Sequence, residues 1–221
     1  MTDAMPRLLG ELYAAEAAAV RDRPEADFER PTRTDWTVRE LLFHQLLDAQ
    51  RTLVALATPA APEDEPDVDA VTYWRPFTPD SEWNDPHAAF VRTAASAYSS
   101  GAALLDHFTT TTEASARAVA AADPRARVRT QGHIVTVADL ASTLVVEATT
   151  HLLDLTVDLV GAPEPPAAAS AEARRVLEGL HGGPLPAYWD DVTAVLKGTG
   201  RASLSSAERA ELGPGWRPLL G

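Results

Sequence analysis

Glu147 and His151 lie four residues apart in the stretch 140–160, LASTLVVEATTHLLDLTVDLV. On an α-helix that spacing puts both side chains on one face, one turn apart. A carboxylate and an imidazole so placed can grip a single metal ion. His44 lies about a hundred residues earlier, in TVRELLFHQLLDAQRTLVALA, and would complete a His2Glu set. Three protein ligands with one position open is the count of a catalytic rather than a structural metal site. The plainer alternative is a solvated pair on a helix surface. The surroundings favour the metal. Leu144, Val145, Leu152, Leu155 and Leu159 make the later helix largely apolar, and His44 sits among Leu41, Leu42, Leu46 and Leu47. All three ionisable groups are therefore expected to face inward, where a carboxylate needs a partner or a cation. Asp48 follows His44 by four residues and Asp154 follows His151 by three. Each either orients a ligand imidazole or is an ordinary surface carboxylate. His87 and His107 fall near the ends of a helix and read as exposed or partly packed; His133 is an alternative ligand.

The elements that must position these residues are helices. Residues 3–22 carry an apolar stripe of Leu8, Leu9, Leu12, Ala15, Ala19 and Val20 at helical spacing. Thr37 and Glu40 form a capping box that starts a second helix over 37–57, with Trp36 placed to staple onto its first turn. Residues 58–84 hold five prolines, many acids and the aromatics Tyr73, Trp74, Phe77 and Trp83. So long a connection allows a crossover along a bundle, and it either covers a site as a lid or simply packs on the surface. Asp85-Pro86 opens a third helix over 86–108, and 113–122 adds a further turn or two. Residues 128–137, β-branched and broken by Gly132, are extended and lead into the Thr136–Asp139 cap. A fourth helix spans 137–160 and stops at Gly161. The tail holds short helices at 170–180, 186–197 and 205–212.

Composition narrows the function. The 221 residues contain no cysteine, which excludes disulfide scaffolds, thiolate metal sites and a cysteine nucleophile. The net charge of −13 repels phosphate backbones and argues against nucleic-acid binding. The N-terminus has early acids and no apolar signal core, and no run approaches the roughly 18 apolar residues of a membrane span. A cytoplasmic protein acting on a small molecule, as monomer or homodimer, is expected. No dinucleotide fingerprint, phosphate loop or nucleophile elbow is present.

WTVRELLFH at 36–44, followed far downstream by VTVADLASTLVVEATTHLLDL at 135–155, resembles the mycothiol-dependent maleylpyruvate isomerase family, a branch of the DinB-like metal-binding bundles. The resemblance covers about residues 1–162 and implies an all-α, up-down-down-up four-helix bundle. It implies a divalent metal, usually zinc, held by His44, Glu147, His151 and water, with a low-molecular-weight thiol such as mycothiol as cosubstrate. The family's isomerase has a larger α/β C-terminal domain that contributes a functional arginine. Here residues 163–221 read instead as a short helical extension packed on the bundle, with Arg201, in LKGTGRASL, as the candidate for that arginine. The expected activity is isomerisation of, or sulfur transfer to, a small electrophile. The rival reading is a non-catalytic bundle that binds a metal or small ligand.

Overall fold

The computed structural model describes residues 4–61, 63–77, 84–157, 159 and 161–220, with the side chains of 84 and 85 excepted. Eight α-helices and one two-stranded hairpin are present among them. The helices are α1 (Ala4–Val20), α2 (Val38–Leu56), α3 (Asn84–Ala95), α4 (Gly101–Ala121), α5 (Val137–Leu155), α6 (Ala167–His181), α7 (Asp191–Gly198) and α8 (Ser206–Leu212). Strands β1 (Arg127–Thr130) and β2 (His133–Thr136) pair antiparallel, Val128 opposite Val135. Gln131 and Gly132 turn the hairpin with φ of 47° and 82°, the double positive φ that matches strand twist in a two-residue loop. The fold is all-α, as the stripes require. No described helix is long and apolar enough to cross a membrane.

Four helices form the bundle. α1 packs on α4 and α5, and α2 packs on the same two from the other side. Chain direction follows from the ends. The start of α2 lies by the end of α5, where Arg33 N–H reaches Asp154 O at 3.2 Å and Arg30 reaches Val157 O at 3.0 Å. The start of α4 lies by the end of α1, where Gly101 N–H donates to Glu25 at 2.9 Å. Thus α1 and α5 run one way, and α2 and α4 the other. Leu9, Leu12, Leu46, Phe108, Val145 and Leu152 meet in the fully buried centre.

Local sequence sets the helix starts. Thr37 and Glu40 exchange side-chain-to-backbone hydrogen bonds in the capping box. Thr136 accepts from Asp139 N–H at the start of α5, and Ser205 with Glu208 caps α8. The Asp85-Pro86 cap lies outside the described side chains. One helix was expected over 86–108, and two are found. The chain breaks at 96–100 because Ser100 turns extended and accepts from Ala103 N–H, starting α4 anew. The bundle's third helix is therefore α4, which runs on through 113–121. α5 ends at Leu155 rather than near 160: Thr156 leaves the helix and its hydroxyl donates back to Leu152 O at 2.7 Å.

Gly101 is needed for a close approach. A Cβ there would overlap the buried ring of Phe28. Gly101→Ala is expected to cost about 1–3 kcal/mol in urea unfolding, as overpacking does, despite alanine's better helix propensity. An unchanged midpoint would show that the ring yields freely.

The described part of the 58–84 connection is packed down. Ala60 N–H bonds Arg127 O, Asp67 bonds Ile134 N–H and His133, and Ala70 N–H bonds Asp139. Tyr73, Trp74 and Phe77 cluster with ring centroids 5.2–5.9 Å apart. Trp83 lies outside the described residues. Beyond the bundle, α6 lies along α5, burying Ala169, Ala173, Val176 and Leu177, and α7 lies on α6. Trp189 and Lys197 both donate to Glu208, which ties α7 and its approach to α8.

Candidate metal centre

α2 and α5 lie side by side and antiparallel, so the middle of one faces the later half of the other. That places His44 beside Glu147 and His151. His44 Nε2 lies 2.9 Å from Glu147 Oε1, and His151 Nε2 lies 3.3 Å from the same oxygen. One ligand atom from each residue falls within 4.8 Å of the others. Both imidazoles are buried, whereas the Glu147 side chain keeps 23% exposure and marks the open side. Burial alone would raise the Glu147 pKa; hydrogen bonds from His151 and His44 overcome it and hold the carboxylate well below its usual range. His151 responds in the opposite sense. Burial would lower its pKa, but hydrogen bonds to Asp154 and Glu147 hold it at about 10.

Each imidazole is oriented through its other nitrogen. His151 Nδ1 lies 3.0 Å from Asp154 Oδ2, and a carboxylate can only accept, so Nδ1 carries a proton and the ring is turned with Nε2 toward Glu147. Asp154 has no exposed surface and is held in turn by Arg201, whose Nε donates to its two oxygens at 2.8 and 2.9 Å. Burial would raise the Asp154 pKa, but these partners lower it. Arg201 is thus engaged with Asp154 behind His151. Asp48 is 3.7 Å from His44 Nε2, beyond hydrogen-bond range, and forms an ion pair with Arg51 at 2.6 Å.

The nitrogen partner of His44 is a residue that spacing did not single out. His87 Nε2, from α3, lies 3.1 Å from His44 Nδ1. Burial and the neighbouring His44 charge lower the His87 pKa, which suits a neutral acceptor. Trp36 also does more than staple a first turn. Its ring lies 4.7 Å from the His44 ring and 6.3 Å from that of His151, walling one side of the cluster. Thr32 and Thr34 fix it: Thr32 Oγ1 donates to Trp36 O at 2.8 Å, and Trp36 N–H reaches Thr34 Oγ1 at 3.2 Å. Neither contact has a sequence signal beyond residue type, since both depend on how the loop and crossover close. His107 pairs with Tyr98 and Gln50 instead, and His133 with Asp67.

One more carboxyl lies within electrostatic reach. Glu16 of α1 is 1% exposed, and neither oxygen has a hydrogen-bond partner among the described residues. Burial, opposed by His151 but reinforced by Asp48 and Glu147, pushes its pKa well above the usual carboxylate value. Replacing it by an apolar side chain of similar length removes an unpaired polar group from the core. Glu16→Met is expected to stabilise the protein by about 1–3 kcal/mol in urea unfolding. Destabilisation would mean that the carboxyl has a partner it needs.

The family model described as mycothiol maleylpyruvate isomerase N-terminal domain matches residues 9–156, about two-thirds of the chain. The chain belongs to this family. No curated protein and no solved structure matches it. The matched span of this mycothiol maleylpyruvate isomerase N-terminal domain member ends just past Asp154. It therefore includes His44, Glu147, His151, Trp36 and His87, and leaves out Arg201 and helices α6 to α8. Membership carries a mycothiol-related, DinB-like metal-binding character, and the donor set fits it. Two imidazoles and a carboxylate from two helices converge, one imidazole is fixed by a carboxylate, and one side is open. Such a set suits a borderline divalent cation.

Proposed function

We propose that the protein is a metal-dependent enzyme that activates a low-molecular-weight thiol of the mycothiol type for reaction with a small electrophile. The observation that carries this reading is the convergence of His44, Glu147 and His151 at a partly open site in a chain without cysteine. These three residues would hold the cation, zinc being the best match to two imidazoles and one carboxylate. When bound, the cation supplies the charge that turns a coordinating thiol into a thiolate nucleophile at neutral pH. The remaining work falls to the chain. Asp154 and His87 keep Nδ1 of each imidazole occupied, so that Nε2 stays directed at the site. The Trp36 ring keeps water off one side. The open side at Glu147 admits the thiol and the substrate. The chain has no sulfur nucleophile of its own, so the thiol must come as a cosubstrate. Addition to a cis-alkene diacid, rotation and elimination of the thiol give isomerisation; attack on an epoxide opens its ring to a hydroxy thioether, and attack on an activated carbon expels the leaving group as an anion. A thiol of this kind is a cytoplasmic reagent, which is where the protein would act.

One observation favours a second reading, a non-catalytic bundle that holds a metal or small ligand. Arg201, the candidate for the family's functional arginine, is occupied by Asp154. The test separates the two. The purified protein is assayed for bound metal, then for consumption of mycothiol with maleylpyruvate and with a panel of epoxides and aryl halides. The enzyme reading expects about one divalent ion per chain and turnover that chelation stops and zinc restores. Metal without turnover on any electrophile supports the binding protein, and absence of metal uptake refutes the enzyme reading and the metal-holding form of the second.

A further inference from the structure

Residues 163–221 lie wholly outside the matched family span, yet one side chain from them reaches the candidate centre. Arg201 follows α7, where the chain turns through Thr199 and Gly200. Its Nε donates to both oxygens of Asp154, and its side chain is 10% exposed. Asp154 is completely buried at the end of α5 and accepts from His151 Nδ1. The segment bearing Arg201 is itself anchored. Thr199 Oγ1 donates to Val195 O at 2.7 Å, Ala202 N–H to Leu196 O at 2.8 Å, and Leu219 N–H to Gly198 O at 2.7 Å.

We infer that Arg201 is a positioning residue of the metal centre, by which the C-terminal extension sets the affinity of the site through Asp154 and His151. The inference rests on the reading that His44, Glu147 and His151 hold a divalent cation. The physical case is that a ligand imidazole binds well only when its ring orientation and tautomer are set in advance. Asp154 sets both, but a buried carboxylate keeps its place only if its second oxygen is also satisfied. Arg201 supplies that with a donor shared between the two oxygens. Without it, Asp154 can rotate toward other donors and release Nδ1. The bundle therefore contains the ligands, and the extension contains the group that holds one of them in register.

The test is zinc affinity of the full-length metal-free protein, by competition with a chromogenic chelator. It is measured for wild type, Arg201→Ala, Asp154→Asn and the double variant, each checked for helix content. Arg201→Ala is expected to weaken zinc about 10- to 100-fold, the usual effect of losing an outer partner. In the Asp154→Asn background the same change should cost little more, because the route runs through Asp154. Should Arg201→Ala fail to fold, Arg201→Met, which keeps the aliphatic stem without a donor or a charge, takes its place in the cycle. A merely structural arginine would lower the melting temperature and leave zinc affinity where it was, which overturns the inference. Additive losses in the double variant overturn it too. Wild-type protein that binds no zinc refutes the underlying reading and this inference with it; wild-type binding with an unaffected Arg201→Ala refutes this inference alone.

Discussion

His151→Ala is expected to abolish metal uptake at the three-ligand site. The substitution removes one of the three donors proposed for the cation, so the loss should exceed the roughly 10- to 100-fold that follows loss of an outer partner. It also strands Asp154, fully buried and then held by Arg201 alone. Elemental analysis of protein purified with zinc in the medium checks it. An unchanged metal content would mean that His151 is no ligand. The pH dependence gives a second reading of the same group. With its proton held up to about pH 10 by Asp154 and Glu147, a cation must displace that proton, so zinc affinity should rise with pH through the neutral range. The metal-free protein should do the reverse in stability. A histidine with a raised folded pKa contributes fully below its unfolded value near ~6.5 and loses that contribution as pH rises through the folded one. Melts in chelator at pH 7 and pH 9.5 should show a lower midpoint at the higher pH. A flat or rising midpoint would contradict a protonated His151 in the metal-free state.

Removal of residues 163–221 is expected to cost on the order of 5 kcal/mol or more, comparable with the whole stability of many domains. The reason lies in α5. Residues 140–146 of that helix are buried without a gap, and seven consecutive residues at about 100° each go around the helix nearly twice. A helix with no solvent face needs partners on every side. α1 and α2 cover two sides and α6 the third. Truncation uncovers that third side and removes the burial of Val176 and Leu177, each worth about 1.5–3 kcal/mol, together with the Ser142–Glu172 hydrogen bond. Urea unfolding of 1–162 beside the full chain measures the difference. Equal midpoints would make the extension an independent appendage. This reading treats 1–162 as the bundle and 163–221 as an extension that completes its packing.

The site and its scaffold were legible to different depths. Glu147 and His151 could be paired from spacing because i,i+4 adjacency is a property of one helix turn and needs no fold. The Thr37–Glu40 and Ser205–Glu208 capping boxes were legible for the same reason: donors and acceptors lie within three residues. His44 could be nominated because a histidine among leucines must be buried, though its 2.9 Å approach to Glu147 came only with the antiparallel packing of α2 on α5. The break at 96–100 was hidden because the apolar stripe runs on through it, and the Ser100 cap had to compete with that stripe.

Sequence alone determined the all-α class, the capped starts of α2, α5 and α8, the absence of any sulfur nucleophile and the carboxylate–imidazole pair on one helix face. Each depends on residue type or on geometry within about one helical turn. Tertiary structure alone decided that His87 reaches His44, that Trp36 walls the cluster, that Glu16 is buried with no hydrogen-bond partner among the described residues, and that Arg201 fastens Asp154. Those contacts join residues tens to hundreds of positions apart, and no periodicity records them. They exist because four helices, a crossover strap and an extension bury a common core, and whichever polar groups arrive together there must satisfy one another or remain unpaired.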